Sequence, residues 1–527
     1  MPPQQPRHHG QVNYFIEGEG LITESEPGVA RALAAPLANT ERLLRFSRLF
    51  PNLPKLRPAP QILAALGQLM VDDDNDNPLR DHPRLPAGFT YLGQFIDHDL
   101  TFDQTANIPT DDLPLEELIQ GRTPSLDLDS LYGRGPDLEE KRIYAADKVH
   151  LRIGVTTPTP AGQESANTLA ALPNDLPRGD DPANRAIATI GDPRNDENLA
   201  VGQTHLAFLK FHNKIVDRLA ATGLQGAALF TAARRLVTLH YQWIVLHDFL
   251  PRILDSATLS DVLVNGRRFY QTNPNEEPTM PLEFSVAGYR LGHSMVRRDY
   301  HFNIVFQDGG APLELLFTFS GNSGDLGGNP TLPTNWVINW KRFYDFSPAP
   351  LIGPEAKFNP ARRIDTFLIP ALHTLPGGDV VVAPGSPPTS SLAVRNLLRG
   401  RLVGLPSGQA VATAIGAPVL TPFELFQGVS SAQAQPLRAA QVDTQTPLWY
   451  YILKEAEVLN SGLKLGPVGS RIVAETFVGL IAASRTSILA DRTWRPTLPA
   501  LVSGTSFTMA DLLLFVNDLN PLEGARG

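Results

Sequence analysis

Two consecutive segments of the chain carry a helical pattern of apolar residues over an unusual length. In residues 203–222, QTHLAFLKFHNKIVDRLAAT, apolar side chains such as Leu206 and Leu209 recur at near-helical spacing. Residues 226–255 continue with a longer and even more apolar pattern. Helices of this kind must bury their apolar faces against other elements. The sequence therefore predicts two long helices, of which the one at 226–255 is central to the core.

Proline and glycine interrupt the rest of the chain. The 47 prolines and 42 glycines are spread over all 527 residues, so the other helical segments are shorter and are separated by long irregular connections. Alternating patterns typical of strands are rare. Further helices are predicted at 61–70, 284–297, 361–369, 391–399, 422–433, 446–459 and 467–485.

These patterns predict a mainly α protein with little β structure. We expect a single large helical domain with long irregular loops at residues 61–527. Residues 1–60 are punctuated by proline and carry no helical pattern. We expect them to form an irregular N-terminal arm packed on the domain.

Composition and charge exclude several classes of function. The net charge of −9 and the pI near 5.8 argue against nucleic acid as a partner, because its binding relies on basic patches. The absence of cysteine excludes disulfides, zinc–thiolate sites, iron–sulfur clusters and a thiol nucleophile. No apolar segment is long enough to span a bilayer, and the first residues lack a secretory h-region. We expect a cytoplasmic protein without membrane insertion, with leaderless secretion as the alternative; the sequence carries no signal for an oligomeric state.

The segment YLGQFIDHDLTFD, residues 91–103, places one histidine between two aspartates. On a helix Gln94 and His98 share a face, Asp97 flanks that face, and Asp99 is turned about 100° further round. Taken alone, the pattern fits a core histidine bonded to an amide, with solvated aspartates. A metal centre built from all three residues is disfavoured, because adjacent side chains on a helix diverge.

Oxygen-bearing side chains alternate in TPSLDLDSLYG, residues 123–133. In an extended loop, alternation points Thr123, Ser125, Asp127 and Asp129 to one side. Such a set suits a hard cation such as Ca²⁺, and Asp99 would complete a group of three carboxylates that repel one another without a cation. The alternative is a polar turn.

A second acidic run, Asp72, Asp74 and Asp76, resembles the start of an EF-hand. It lacks the glycine and the closing glutamate that complete such a loop. We interpret it as a solvated loop.

Two further pairs of polar residues stand three positions apart. Arg194 and Glu197 lie in GDPRNDEN, just before the segment at 203–222, and Arg290 and His293 lie in RLGHSMVRR. Each pair alone fits an ordinary charged helix start or a core histidine.

The order of these motifs along the chain resembles the animal-type haem peroxidases of the peroxidase–cyclooxygenase superfamily, in particular their bacterial members. The likeness runs from about residue 60 to residue 490. It rests on GQFIDHDLTF, then TPSLDLDSLYG, then GDPRNDENLAVGQTHLAFLKFHNKIVDRL, then YRLGHSMV, and then NLLRGRLVGLP.

The resemblance implies a function and the residues that perform it. The protein would reduce hydrogen peroxide and oxidise small donors such as phenols, halides or thiocyanate by a ferryl intermediate. His98 matches the distal base that deprotonates peroxide, Gln94 the amide that holds distal water or halide, and Arg194 the cation that stabilises the departing oxygen. His293 matches the proximal ligand of the haem iron, and Asn396 the residue that accepts its second ring proton.

The resemblance also implies two cofactors, haem b and Ca²⁺. Asp97 and Glu197 match the carboxylates that attach haem b through ester bonds, and Arg290 and Arg399 match positions near the haem propionates. The calcium loop would consist of Asp99, Thr123, Ser125 through its backbone carbonyl, Asp127 and Asp129.

The chain departs from the family pattern at two places. Asn198 stands where some relatives carry a methionine that forms a sulfonium link to haem, so that link is excluded and oxidation of chloride is disfavoured. The segment RLVG, residues 401–404, also differs from the usual run after the asparagine.

Two other functions stay open at this point. One is a fatty-acid dioxygenase of the same superfamily, which would place a radical-forming tyrosine where this chain has Arg290; Tyr289 is one position away. The other is a calcium-stabilised binding protein without haem.

Overall fold

The computed structural model of the chain describes residues 45–72, 77–103, 113–137, 142–159, 168–181, 183, 185–272, 277–307, 309–349, 357–375, 390–491, 493–502, 504 and 506–524. Most of the predicted N-terminal arm, residues 1–44, lies outside the described residues. So do Asp74 and Asp76 of the second acidic run.

Helices dominate the described part of the chain, which confirms the mainly α fold class. The longer α-helices are α1 Pro60–Gln68, α2 Gly88–Leu100, α3 Leu199–Ala220, α4 Gly226–Ile244, α5 Ser256–Asn265, α6 Leu392–Leu402, α7 Gly408–Ile415, α8 Ser431–Ala439, α9 Leu448–Asn460, α10 Pro467–Ala483 and α11 Met509–Val516. Shorter helices include Asp129–Tyr132, Leu250–Ile253, Leu282–Ser285, Leu313–Thr318, Gly321–Gly324 and Pro422–Leu425.

The strands are short and form three separate pairs among the described residues. One pair is parallel, between β1 Phe46–Ser47 and β3 Met280–Pro281, and the antiparallel pairs are β2 Asp81–Pro86 with β6 Pro360–Arg362 and β4 Asp299–Tyr300 with β5 Ala311–Pro312. The boundary at residue 60 between arm and domain stays a prediction.

The two long apolar segments form α3 and α4, which pack against each other. The side chain of Asn198 caps α3 by accepting a hydrogen bond from the backbone N–H of Val201. α4 runs through a π-helical turn, Val245–Phe249, into the short helix Leu250–Ile253. The interruption is consistent with Pro251, which cannot donate a backbone hydrogen bond.

The predicted helix at 284–297 is wrong in type. The chain forms only the short helix Leu282–Ser285 and then a 3₁₀ segment, Gly288–Met295. A Cβ at Gly288 would lie 2.8 Å from the side chain of Ile472 on α10, so the backbone approaches α10 too closely for another residue. Packing against α10 therefore sets the path of the segment that carries His293.

The predicted helix at 361–369 is also wrong. Its first residues belong to β6, and the backbone N–H groups of Ile364 and Leu368 donate to the carbonyls of Gly462 and Met70. Tertiary partners replace the hydrogen bonds that a helix would have made within the segment.

The predicted helix at 422–433 is split into Pro422–Leu425 and α8. Capping boxes begin both pieces, at Thr421 with Glu424 and at Ser430 with Gln433. Two such N-terminal signals nine residues apart were readable in the sequence.

The interpretation of Asp72 as a solvated residue is wrong, because it is 2 % exposed and pairs with Arg362 and Arg80.

The buried apolar residues of the described part form one core, in which α2 packs against α3 and against Gly288–Met295. Within the residues described, none of the helices combines the length and the apolar character needed to cross a membrane.

Candidate active site

A cavity opens where α2, the turn before α3 and the 3₁₀ segment Gly288–Met295 meet. Apolar residues such as Phe89, Phe249 and Leu392 form much of its wall. Residues that the sequence predicted from three distant motifs lie together in it: Gln94, Asp97, His98, Arg194, Glu197, Arg290 and His293.

His98 is buried, and both of its ring nitrogens have polar neighbours. Nδ1 lies 2.9 Å from Oδ1 of Asn195, and Nε2 lies 3.6 Å from Oε1 of Glu197. Burial and, to a smaller extent, the charge of Arg194 lower the pKa of His98 to about 3. With Nδ1–H donated to Asn195, the neutral ring keeps a lone pair at Nε2 that can accept a proton.

Asn195 is a site residue that the sequence analysis missed. It is fully buried, and its amide nitrogen lies 3.0 Å from Nδ1 of the buried His205. The amide is thus fixed at both ends, between two imidazoles. Its position directly after Arg194 was the only signal in the sequence.

Arg194 is held rigidly by a second missed residue, Asp192. Nη2 and Nε of Arg194 donate to the two carboxylate oxygens of Asp192 at 2.7 and 3.1 Å. Nη2 also donates to the backbone carbonyl of His98 at 3.1 Å. The guanidinium lies 4.5 Å from the ring centroid of Phe102. Although burial alone raises the pKa of Asp192, Arg122 and Arg194 bring it well below the usual range of a carboxyl. The site therefore contains a fixed cation beside His98.

A chain of amides orients the remaining polar groups of the cavity. Asn198 donates to Oε1 of Gln94 at 2.8 Å, and Nε2 of Gln94 donates to Oε1 of Glu197 at 2.7 Å. Asp97 accepts a hydrogen bond of 3.1 Å from the Thr101 hydroxyl. Asn198, which the sequence marked only as a departure from the family, therefore sets the orientation of Gln94.

His293 has the predicted partner, in an arrangement that differs from the expected one. The amide nitrogen of Asn396, on α6, lies 2.8 Å from Nδ1 of His293 and donates to it. The prediction had the amide oxygen accepting the Nδ1 proton. A half-turn about the last side-chain bond of Asn396 exchanges the amide nitrogen and oxygen. The amide oxygen then accepts a proton carried on Nδ1 of His293, which leaves the lone pair on Nε2 of His293.

The two arginines assigned to the propionates differ in position. Arg290 lines the cavity, and its Nε donates to the carbonyl of Ser285 at 3.0 Å. Arg399 is buried and pairs with Asp103; it is not among the residues that line the cavity. A role for either one beside a propionate stays a prediction.

The predicted calcium residues come together next to α2. Ligand oxygens of Asp99, Asp127 and Asp129 lie within 4.8 Å of one another. Burial and mutual repulsion raise the pKa of Asp99 far above normal and that of Asp127 to about 6, and burial raises that of Asp129. Oδ1 of Asp129 is buried and has no hydrogen-bond partner among the described residues. This donor set fits a hard divalent cation, which would relieve the repulsion.

We call Asp99, Asp127 and Asp129 the acidic cluster. The other two residues of the predicted calcium loop, Thr123 and Ser125, hydrogen-bond its members. The Thr123 hydroxyl lies 3.1 Å from Oδ1 of Asp127 and 2.9 Å from Oδ2 of Asp129. Ser125 hydrogen-bonds Asp127 through its side chain. The calcium-binding role of these residues stays a prediction.

Comparison with known families gives one match over most of the chain. The family described as "Animal haem peroxidase" matches residues 109–494.

Curated relatives carry peroxidase names. The chain is 30% identical over 236 residues to a peroxidase-like protein of Margaritifera margaritifera, covering 43% of the chain and 28% of the relative. It is 26% identical over 312 residues to heme peroxidase 2 of Caenorhabditis elegans, covering 56% and 39%. It is 28% identical over 187 residues to thyroid peroxidase of Canis lupus familiaris, covering 34% and 19%. The matches thus span well under half of these relatives.

Solved structures with a similar fold include a peroxidase and dioxygenases. Peroxidase A from Dictyostelium discoideum matches with a TM-score of 0.59 and 17% identity, covering 98% of both chains. The fatty acid alpha-dioxygenase of Arabidopsis thaliana matches with a TM-score of 0.57 and 15% identity, covering 92% of this chain and 80% of that one. At these identities the likeness concerns the fold alone.

Proposed function

This chain belongs to the animal haem peroxidase family, and from that premise we propose that it is a haem-dependent peroxidase that reduces hydrogen peroxide. One observation carries the proposal. His98, with its free Nε2, and His293, with its amide partner, line one cavity that also contains the fixed charge of Arg194.

The residues of the cavity fit a haem. His293 would ligate the iron, and its neighbour Asn396 supplies the hydrogen-bonding partner that orients a ligating imidazole. Asp97 and Glu197 are carboxylates on the cavity wall and would form the ester bonds. When bound, the haem supplies the two-electron reduction of the peroxide bond.

The protein's own contribution is proton transfer and charge stabilisation. Nε2 of His98 takes a proton from one oxygen of hydrogen peroxide and returns it to the other, which leaves as water. The Arg194 guanidinium stabilises the negative charge that develops on the departing oxygen, and Asp192 keeps that cation in place. Gln94, oriented by Asn198, holds water or a small donor beside His98.

The donors proposed are phenols, bromide, iodide and thiocyanate. Asn198 precludes a sulfonium link, so we place chloride outside the substrate range. The absence of cysteine is consistent with a bacterial member of the family. We further propose Ca²⁺ as the cation of the acidic cluster, where it would fix the end of α2 beside His98.

An absorption spectrum of the purified protein tests the cofactor first. We expect a Soret band, and we expect guaiacol, bromide or iodide to be oxidised only when peroxide is present. A haem-loaded sample without such oxidation would contradict the proposal. Absence of a Soret band after haem supply would instead favour the calcium-stabilised binding protein.

Acid–acetone extraction tests the ester bonds. After peroxide turnover, haem should stay with the wild-type chain and be released from the double variant Asp97→Val, Glu197→Gln. Val296→Ala is a control that alters an apolar wall residue of the cavity and neither carboxylate, and it should retain the pigment. Covalent haem in the double variant would exclude these carboxylates as the attachment points.

One observation favours a fatty-acid dioxygenase as a second candidate. Tyr289 lines the cavity, and its buried hydroxyl has no hydrogen-bond partner among the described residues. Oxygen uptake with a long-chain fatty acid, abolished by Tyr289→Phe, would support that function. Peroxide-dependent oxidation of guaiacol that is unchanged in Tyr289→Phe would favour the peroxidase.

A further inference from the structure

Arg122 lies between the acidic cluster and Asp192, the residue that holds Arg194. Its Nε donates to Oδ2 of Asp192 at 2.8 Å, and its Nη2 donates to the carbonyl of Gly191 at 2.9 Å. On its other side, Nη1 lies 3.6 Å from Oδ1 of Asp129. One planar guanidinium therefore faces both the acidic cluster and the turn that carries Arg194.

Asp192 is shared between two cations. Its Oδ2 accepts from Arg122 and, at 2.7 Å, from Nη2 of Arg194. The carboxylate is fully buried and is therefore shielded from bulk solvent. A shift of Arg122 must therefore change how Asp192 holds Arg194.

The backbone brings the same two segments into direct contact. A Cβ on Gly191 would lie 2.5 Å from the carbonyl oxygen of Ser130, which follows Asp129 in the chain. The calcium loop and the turn before α3 are thus packed against each other without a gap. A displacement of one segment therefore displaces the other.

The formal charges of the acidic cluster and Arg122 sum to zero when a dication is added. Three carboxylates in the acidic cluster carry −3, a dication contributes +2, and Arg122 contributes +1. The buried Oδ1 of Asp129 has no hydrogen-bond partner among the described residues, and Nη1 of Arg122 lies 3.6 Å from it.

We propose that Arg122 is a positioning residue that couples cation binding in the acidic cluster to the position of Arg194. The inference rests on the calcium site and on the role of Arg194 given under the proposed function. With a cation in the cluster, Asp129 is satisfied and Arg122 is held by Asp192. When the cation leaves, Asp129 draws Arg122 away from Asp192, and Asp192 and Arg194 lose their fixed geometry.

Thermodynamic reciprocity provides a test that needs neither haem nor activity. The affinity for Tb³⁺, measured by its luminescence and by competition with Ca²⁺, is determined for four proteins: wild type, Arg122→Gln, Arg194→Gln and the double variant. Removal of Arg194 frees Asp192 to bind Arg122 alone and so draws Arg122 away from the cluster.

We expect Arg194→Gln to change the Tb³⁺ affinity at least about fivefold in the wild-type background. In the Arg122→Gln background the same change should be less than about twofold, because the connection is already broken. An equal effect in both backgrounds would overturn the proposal, and so would a wild-type chain that binds no Tb³⁺.

Arg122→Lys separates charge from positioning. Lysine keeps the positive charge but cannot reach Asp192, Gly191 and Asp129 together. We expect its Tb³⁺ affinity to stay near that of wild type while the effect of Arg194→Gln is lost; a retained effect would count against positioning by the guanidinium. This variant also carries the test if Arg122→Gln does not fold.

Arg235→Gln is the matched control, since it removes an exposed arginine on α4. It should leave the effect of Arg194→Gln intact, and loss of the effect in this control would overturn the assignment to Arg122. The cycle is read in protein without haem. Coupling found in a chain that shows no Soret band even after haem is supplied would therefore refute the peroxidase while leaving the role of Arg122 established.

Discussion

The substitution Asn195→Leu tests how the structure orients the proposed catalytic histidine. Leucine has a similar shape but removes the hydrogen bonds to Nδ1 of His98, at 2.9 Å, and to Nδ1 of His205, at 3.0 Å. All three residues are buried. Each ring nitrogen left unpaired costs about 1–3 kcal/mol, so the free energy of unfolding should fall by about 2–6 kcal/mol.

The effect on function is separable from the effect on stability. Without Asn195, the proton of His98 is no longer fixed on Nδ1, and the lone pair at Nε2 is lost for part of the time. General-base catalysis typically contributes a factor of about 10²–10⁴, so we expect the rate of reaction with peroxide to fall about a hundredfold. Stopped-flow absorption of the haem-loaded protein measures that rate, and urea unfolding measures stability.

Gln203→Leu provides the matched control on α3. It removes a buried amide that donates to the carbonyl of Asn174 at 3.1 Å, away from the cavity. We expect a loss of about 1–3 kcal/mol in stability with no change in the peroxide rate. A folded Asn195→Leu protein that reacts with peroxide within threefold of wild type would refute the argument that Asn195 orients His98.

Four further predictions follow from single features of the structure. Burial raises the pKa of Glu455 to about 8; the folded form therefore keeps a proton that the unfolded form loses above its ordinary pKa. The stability from this group is fully present below the ordinary pKa of 4.5 and is lost progressively as pH rises to about 8, by up to about 4–5 kcal/mol. About 3 kcal/mol of this loss falls between pH 6 and pH 9, and urea unfolding of Glu455→Gln at these two pH values should show a correspondingly weaker pH dependence. Gly191→Ala forces a Cβ to 2.5 Å from the carbonyl of Ser130, so we expect a loss of about 1–3 kcal/mol and weaker Tb³⁺ binding; unchanged binding would contradict the close contact. Phe95→Ala removes a buried ring whose centroid lies 4.6 Å from that of the stacked Phe208, and chemical unfolding should show a free energy of unfolding lower by about 3–5 kcal/mol. Chelation of Ca²⁺ should lower the melting temperature of wild type but not of Asp129→Asn, and equal melting curves with and without chelator would exclude a structural cation.

Much of the fold and the identity of the candidate site residues followed from the sequence. Apolar residues at helical spacing, sustained over long segments, predicted α3 and α4. A helix that packs into a core must repeat its apolar residues every three to four positions. The motifs also named the residues that meet in the cavity, His98 and His293 among them. These signals depend on residues that are close together in the sequence, so they can be read without knowledge of the fold.

The tertiary structure decided which partners hold those residues. Asp192, Asn195 and Arg122 make the contacts that fix the candidate distal site, yet the only local signal for any of them was the position of Asn195 directly after Arg194. Arg399 pairs with Asp103 rather than lining the cavity, and the segment at 361–369 forms its hydrogen bonds with distant chain.

The physical reason is the range of the interactions involved. Helix periodicity acts over one or two turns, and a sequence displays it directly. The pKa of His98, the clamp on Arg194 and the repulsion in the acidic cluster depend on burial and on charges brought together from separate segments, and these exist only once the chain has folded.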